Sequence, residues 1–250
     1  VVGIMRKAVK AHITNTEKEM VKRFNELCSS RQSWQVWSDF VTATACAIAN
    51  SVDKTSEQFQ QREDEYAQCI ERLGGVELPS QMFAITTMQL EENPEQDYLG
   101  GLFMKLNLGN HWKGQFFTPY SVCQVMARVN VEGLQEKIES NGYVSVNDCA
   151  CGAGATLIAM ANTLKDNGVN YQQNAVFVAQ DVDRVAALMC YIQLSLLGCP
   201  GYVVVGNTLT NPTVGSVLNP ICQDGQEIWY TPMFATEVWQ KRRVFDLLRF

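Results

Sequence analysis

From Val144 onward the hydrophobic and polar positions switch repeatedly between a two-residue and a helical period. Val144 to Thr156 reads VSVNDCACGAGAT, a short apolar run that ends in an acid and breaks into two glycines one residue apart. Val144 and Val146 predict a short buried strand, Gly152 and Gly154 a tight turn, and the small-then-apolar stretch Ala155 to Leu164 a helix. Ala175 to Gln180 (AVFVAQ) predicts a second strand ending in Asp181, Arg184 to Leu197 a helix, and Tyr202 to Gly206 (YVVVG) a third strand. Such alternation predicts a parallel sheet with right-handed crossovers, whose ligands sit at the carboxyl ends of the strands. The three strands end in Asp148, Asp181 and Asn207, so three polar groups face one crevice.

Upstream the pattern is helical. Lys7 to Cys28 carries lysine, glutamate and methionine at helical spacing and reads as a helix with a solvated basic face. Trp34 to Asn50 follows Ser33, a candidate N-cap, and its apolar positions at Trp34, Trp37, Val41, Ala45 and Ile48 recur every three or four residues on one buried face. That periodicity assigns the two tryptophans to the core rather than to base stacking. Ser56 to Leu73 is a charged helix ending at Gly74-Gly75, and Gln81 to Glu92 is another that stops before Pro94. Gly109, Gly114 and Pro119 then punctuate the chain, placing a boundary near Trp112. The expected organisation is a helical N-terminal domain, 1–112, followed by an α/β domain, 113–250.

Composition narrows the class. At 250 residues and 46% hydrophobic, the chain can bury a sizeable core. No stretch approaches the roughly 20 apolar residues that span a bilayer, and the opening VVGIMRKAVK is too short in its apolar part for a secretory signal, so a cytoplasmic location is expected. The chain does not begin with methionine, which points to trimming at the start, with the same open at the end. Nine scattered cysteines, several inside apolar runs, read as reduced thiols. Cys149-Ala150-Cys151 has no partner pair at zinc spacing, and His12 and His111 lack ligand-like neighbours, so no metal is expected. A net charge of −6 argues against a protein that coats nucleic acid by charge alone.

The strand, glycine loop and helix form a unit whose backbone can approach a ligand closely, and the free N–H groups at the helix start favour a carboxylate or phosphate. Asp181, ending the second strand, stands where such folds hold a ribose, because two adjacent hydroxyls donate to one carboxylate. A helix-capping role for Asp181 is the alternative, although Asp183 can serve as that cap. Asn207 can accept and donate at an adenine edge. A nicotinamide cofactor is disfavoured: G-A-G-A-T-L lacks the third glycine of the dinucleotide fingerprint, and Asp181 lies further along than the roughly 20 residues expected.

Four ordered segments, Gly114 to Tyr120 (GQFFTPY), Asn147 to Thr156 (NDCACGAGAT), Gln180 to Asp183 (QDVD) and Gly206 to Leu209 (GNTL), resemble the successive motifs of adenine-N6 DNA methyltransferases, most of all the modification subunits of type I restriction systems and related N-6 DNA methylases. Asp97-Tyr98-Leu99-Gly100 resembles the lead-in to the first of them, and the likeness covers roughly residues 95–210. It implies a Rossmann-like methyltransferase core preceded by an all-helical domain, with S-adenosylmethionine in the crevice. Gln115, Phe116, Phe117, Thr118 and Pro119 would close over its methionine part. Asp148, Ala150, Cys151, Gly152 and Gly154 would form the glycine loop, Asp181 would hold the ribose, Val182 would pack on the adenine and Asn207 would meet its amino edge. The family usually has proline at the Cys149 position and aspartate at the Asn207 position.

Catalysis is where the chain departs furthest from the resemblance. The family holds the target amine with an Asn-Pro-Pro-aromatic motif, whose asparagine and a backbone carbonyl accept the amine's hydrogens while the ring stacks on a flipped-out base. No such tetrapeptide is present. Asn211-Pro212-Thr213 has its first two letters but follows the third strand by only a few residues, and Phe245 to Leu248 reads as a terminal amphipathic helix in preference to the strand that leads into the motif. Trp229, Tyr230 and Phe234 read as packing. No catalytic residue is assigned. The resemblance implies methyl transfer to the exocyclic amine of adenine in DNA, recognised through a separate DNA-binding or specificity subunit. The alternative is an inactive homologue serving as partner to such a subunit.

Overall fold

The computed structural model describes residues 16–108 and 117–248. Residues 16–27 form the described part of α1, followed by α2 (Ser33–Val52), α3 (Gln58–Leu73), α4 (Glu77–Glu92), α5 (Tyr98–Lys105), α6 (Tyr120–Asn130) and α7 (Leu134–Asn141). No strand occurs among the described residues before β1 (Val144–Asp148). The basic start of the first predicted helix and the boundary position Trp112 lie outside the described residues.

Three helix starts differ from the sequence reading, α3 beginning at Gln58 rather than Ser56. Gln32, extended at ψ 131, occupies the N-cap of α2 and its carbonyl accepts the first helical bond from the Val36 N–H, so Ser33 is the first helical residue rather than the cap. α4 begins at Glu77 instead of Gln81, because Pro79 falls in the first turn, where its missing N–H costs no helical hydrogen bond. α3 ends at Gly74 in the left-handed conformation, φ 83, as its Gly-Gly signal predicts. Trp37, Val41 and Ala45 are wholly buried and Trp34 and Ile48 partly so, which assigns the apolar face of α2 to packing.

Then come α8 (Ala155–Asp166), α9 (Tyr171–Asn174), β2 (Ala175–Asp181), α10 (Arg184–Leu196) and β3 (Gly201–Val205). They are followed by the short hairpin β4 (Val214–Gly215) and β5 (Pro220–Ile221), β6 (Glu227–Tyr230) and α11 (Glu237–Leu247). The main sheet runs β1-β2-β3-β6, with β1, β2 and β3 parallel and β6 antiparallel to β3. β2 is buried at every position but the last, and so on both faces, as expected of a parallel strand between neighbours. Asp148 pairs with Ala179 and Asp181 with Val205, which brings the acidic ends of β1 and β2 to the same edge of the sheet. Phe245 and Leu247 lie in α11, helical as read from the sequence.

One apolar cluster runs from Met20, Trp37 and Phe103 in the N-terminal helices through Ile158, Phe177 and Tyr191 to Trp229 on β6. The helices α2 and α10 therefore share a core, and the strand ends are backed by the helical part of the chain.

Candidate functional site: the glycine loop at the strand ends

The loop between β1 and α8 is held by its own acids. Asp148 accepts from the Ala150 N–H at 3.1 Å and from the Thr156 hydroxyl, closing the loop on itself. Gly152 (φ 53) and Gly154 (φ 97) adopt positive φ, a conformation that side-chain-bearing residues rarely enter. Space excludes side chains as well: a Cβ on Gly152 would stand 2.9 Å from Phe117 Cδ1, and one on Gly154 would stand 2.8 Å from Cys190 Sγ. Phe117 thus lies directly on the glycine loop, its ring 5.2 Å from that of Phe103.

Asp181 joins this cluster. Its Oδ2 accepts from the Gly152 N–H at 2.8 Å and its Oδ1 from the Asp183 N–H at 2.9 Å. Each oxygen retains further acceptor capacity, so the carboxylate both holds the loop and remains able to receive a hydroxyl. The N-cap of α10 is Asp183, whose side chain accepts from the Ala186 N–H; the capping role weighed for Asp181 belongs to its neighbour. Val182 is 70% exposed, an apolar side chain held at the rim between two acids.

Asn207 is exposed beyond the end of β3, and its Oδ1 accepts from the Leu209 and Thr210 N–H groups at 2.9 and 3.3 Å. Backbone donors occupy that oxygen, so the amino group is the part of the side chain left to donate. A donor suits a ring nitrogen of adenine, not its exocyclic amine. Thr208 donates to the Cys149 carbonyl at 2.6 Å, tying the third strand end to the glycine loop.

Phe117, Gly152, Gly154, Asp148 and Asp181 therefore meet, with Ala150, Val182 and Asn207 at the exposed rim. Thr118 and Pro119 are exposed at the start of α6, where the Pro119 carbonyl accepts from the Val122 N–H at 2.9 Å. Gln115 and Phe116 lie outside the described residues. Cys151 is buried, and contact with the Cys190 thiol together with burial pushes its own thiol well up, which makes it an inert part of the wall. No group of three or more His, Cys, Asp or Glu that could hold a metal occurs among the described residues.

Several supports escaped the sequence reading. Gln180, buried on β2, donates to the Asn211 carbonyl at 2.9 Å and accepts from Thr213. Gln226 donates to the same carbonyl at 2.8 Å, and Asn211 spends its own amide on the Asp224 carbonyl at 3.0 Å. The Asn211-Pro212 pair is thus a pinned loop. Gln193 reaches the Ala153 carbonyl from α10 at 2.8 Å, and its only signal in the sequence is a single amide in the apolar run Leu188 to Leu197.

The family model for N-6 DNA methylases matches residues 103–250, more than half of the chain and all of the loops just described. The chain belongs to the N-6 DNA methylase family. Among solved structures, the N-6 DNA methylase chain is similar to the methyltransferase subunit of a type I restriction-modification system from Streptococcus thermophilus, at 13% identity and a TM-score of 0.43, over 82% of this chain and 60% of that one. It is also similar to a Listeria monocytogenes protein assigned to the class I S-adenosylmethionine-dependent methyltransferases, at 17% identity and a TM-score of 0.39, over 86% of this chain and 79% of that one. The chain thus spans 60% of the length of the type I subunit. No curated protein sequence matches it.

Proposed function

We propose that this member of the N-6 DNA methylase family binds S-adenosylmethionine against the glycine loop and serves in methylation of adenine N6 in DNA. The observation that carries the reading is the meeting of Phe117, Gly152 and Asp181, from three separate stretches of chain, at the carboxyl edge of a parallel sheet. The chemistry of these strand ends suits the ligand. Two carboxylates, Asp148 and Asp181, favour a cation, while the N-terminus of α8 favours an anion. S-adenosylmethionine carries a sulfonium, an ammonium and a carboxylate together.

When bound, the cofactor supplies an electrophilic methyl group. The residues of the chain divide the remaining work. Asp181 receives the ribose hydroxyls, Val182 covers one face of the adenine and Asn207 donates to its ring nitrogen. Phe117, Thr118 and Pro119 would cover the methionine end, a role the sequence reading extends to Gln115 and Phe116. The described N-terminal helices, α1 to α5, support this site through the core they share with the α/β part.

Asn211 favours a second reading alongside the first. Its Nδ2 donates to the Asp224 carbonyl and its backbone carbonyl accepts from two glutamines, which pins it in the loop after β3, with Thr213 and Val214 standing where the family has a proline and an aromatic. In that reading the chain binds the cofactor and partners a DNA-binding or specificity subunit in the cytoplasm without transferring methyl groups alone. No helix among the described residues is long and apolar enough to cross a membrane. Incorporation of labelled methyl groups from the cofactor into mixed-sequence DNA separates the two: incorporation at adenine supports the enzyme, whereas cofactor binding without incorporation supports the partner role.

A further inference from the structure

We propose that Asp97 and Gln193 are positioning residues of the glycine loop, joined in a buried relay that fixes the peptide between Ala153 and Gly154. The inference rests on the reading of that loop as the cofactor site. Gln193 lies in the middle of α10 with no exposure. Its Oε1 accepts from the Leu99 N–H at 3.0 Å, and its Nε2 donates to Asp97 Oδ1 and to the Ala153 carbonyl, each at 2.8 Å. Only one orientation of the amide satisfies all three partners, because the first is a donor and the other two are acceptors. Asp97 Oδ1 also accepts from the Gly100 N–H at 2.9 Å and so caps α5. One side chain thereby connects the start of α5, the middle of α10 and the loop after β1. Asp97 and Leu99 precede the stretch that matches the family, 103–250.

The consequence follows from the loop's own freedom. Gly154 admits φ of either sign, so the preceding peptide has little intrinsic preference for the orientation it takes. Its N–H donates to the Cys151 carbonyl at 2.8 Å, and its carbonyl is the one that Gln193 holds. Asp181 anchors the other side of the same turn through the Gly152 N–H. The loop is pinned from both sides, which sets its shape before a ligand arrives and lowers the ordering cost of binding. A buried amide that loses its partners leaves several groups unsatisfied at once.

Gln193→Met keeps the length of the side chain without its hydrogen bonds, Asp97→Ala removes the acceptor, and Asp97→Asn retains an acceptor oxygen for both Nε2 and the Gly100 N–H. S-adenosylmethionine affinity by calorimetry is read beside the thermal midpoint and hydrogen exchange of residues 150–156 in the unliganded 250-residue chain. Gln193→Met and Asp97→Ala are expected to weaken binding about tenfold or more and to speed loop exchange, and Asp97→Asn to restore affinity to within about threefold of the native chain. A folded Gln193→Met with native affinity and native loop exchange overturns the inference while leaving the site reading intact. Should that variant fail to fold, the contrast between Asp97→Ala and Asp97→Asn decides, equal affinities overturning the relay. A native chain that binds no cofactor overturns the site reading itself, and the relay with it.

Discussion

Asp181 accepts two backbone hydrogen bonds in the structure, and the proposed ribose would call on the same carboxylate. It holds Gly152 through one oxygen and the start of the next turn through the other, while the proposed ribose would use its remaining lone pairs. Asp181→Ala is expected to weaken S-adenosylmethionine binding by about 1–3 kcal/mol, the cost of removing a partner from a hydrogen-bonded site. Asp181→Asn keeps one acceptor oxygen and is expected to fall between alanine and the native residue. Calorimetric titration checks both, and an unchanged affinity in Asp181→Ala would remove this residue from the site. At this scale the sequence was informative where a residue type has few uses: an acid at a strand end and paired glycines after a strand. It was uninformative for Gln180 and Gln193, because a glutamine shows its partners only once chain segments 31 to 96 residues apart are brought together.

Between elements, Arg184 is the hinge pin of the assembly. Standing at the start of α10, it donates to Glu65 on α3 at 2.9 Å and to Glu227 on β6 at 2.8 Å, beside a polar groove of about 730 Å³. Its guanidinium also lies 5.7 Å from the Trp229 ring, which Arg62 approaches at 5.3 Å. Both ion pairs are partly exposed, so Arg184→Leu is expected to lower the unfolding free energy by only about 1–2 kcal/mol. A double-mutant cycle with Glu65→Gln in urea checks the coupling, and strict additivity would contradict it. The caps of α5 and α10 add a pH dependence. Burial raises Asp97 above the ordinary carboxyl value of 3.8 despite the bonds from Gln193 and Gly100, and burial also raises Asp183 despite the Ala186 N–H, with Asp181 nearby adding to the rise. A carboxyl whose folded-state pKa exceeds its unfolded value binds its proton more tightly when folded. Its stabilising contribution is complete below the unfolded value and is lost as pH rises through the raised one. The unfolding free energy of Asp97→Asn should therefore fall less steeply than that of the native chain from about pH 4 upward, and an identical slope would contradict the assignment.

Across the whole molecule, the parallel part of the sheet was legible because each of its strands is a compact apolar run between turn signals, and the helices because their periodicity is long. β6 was not: four residues, EIWY, joined antiparallel to β3 after a loop with its own small hairpin, carry too little pattern to distinguish a strand from packing. The helix starts shifted because a cap is decided by backbone geometry, as at Gln32, more than by the residue types nearby. The shared core of α2 and α10 could not be read from either segment alone. What unites these scales is the meeting of three chain segments at the strand ends, the place proposed here for S-adenosylmethionine. Titration of S-adenosylmethionine into the chain by calorimetry tests this most directly. Saturable binding at one site, weakened about fivefold or more in Asp181→Ala, is the predicted result, and no saturable binding at ligand concentrations of about 1 mM would contradict it.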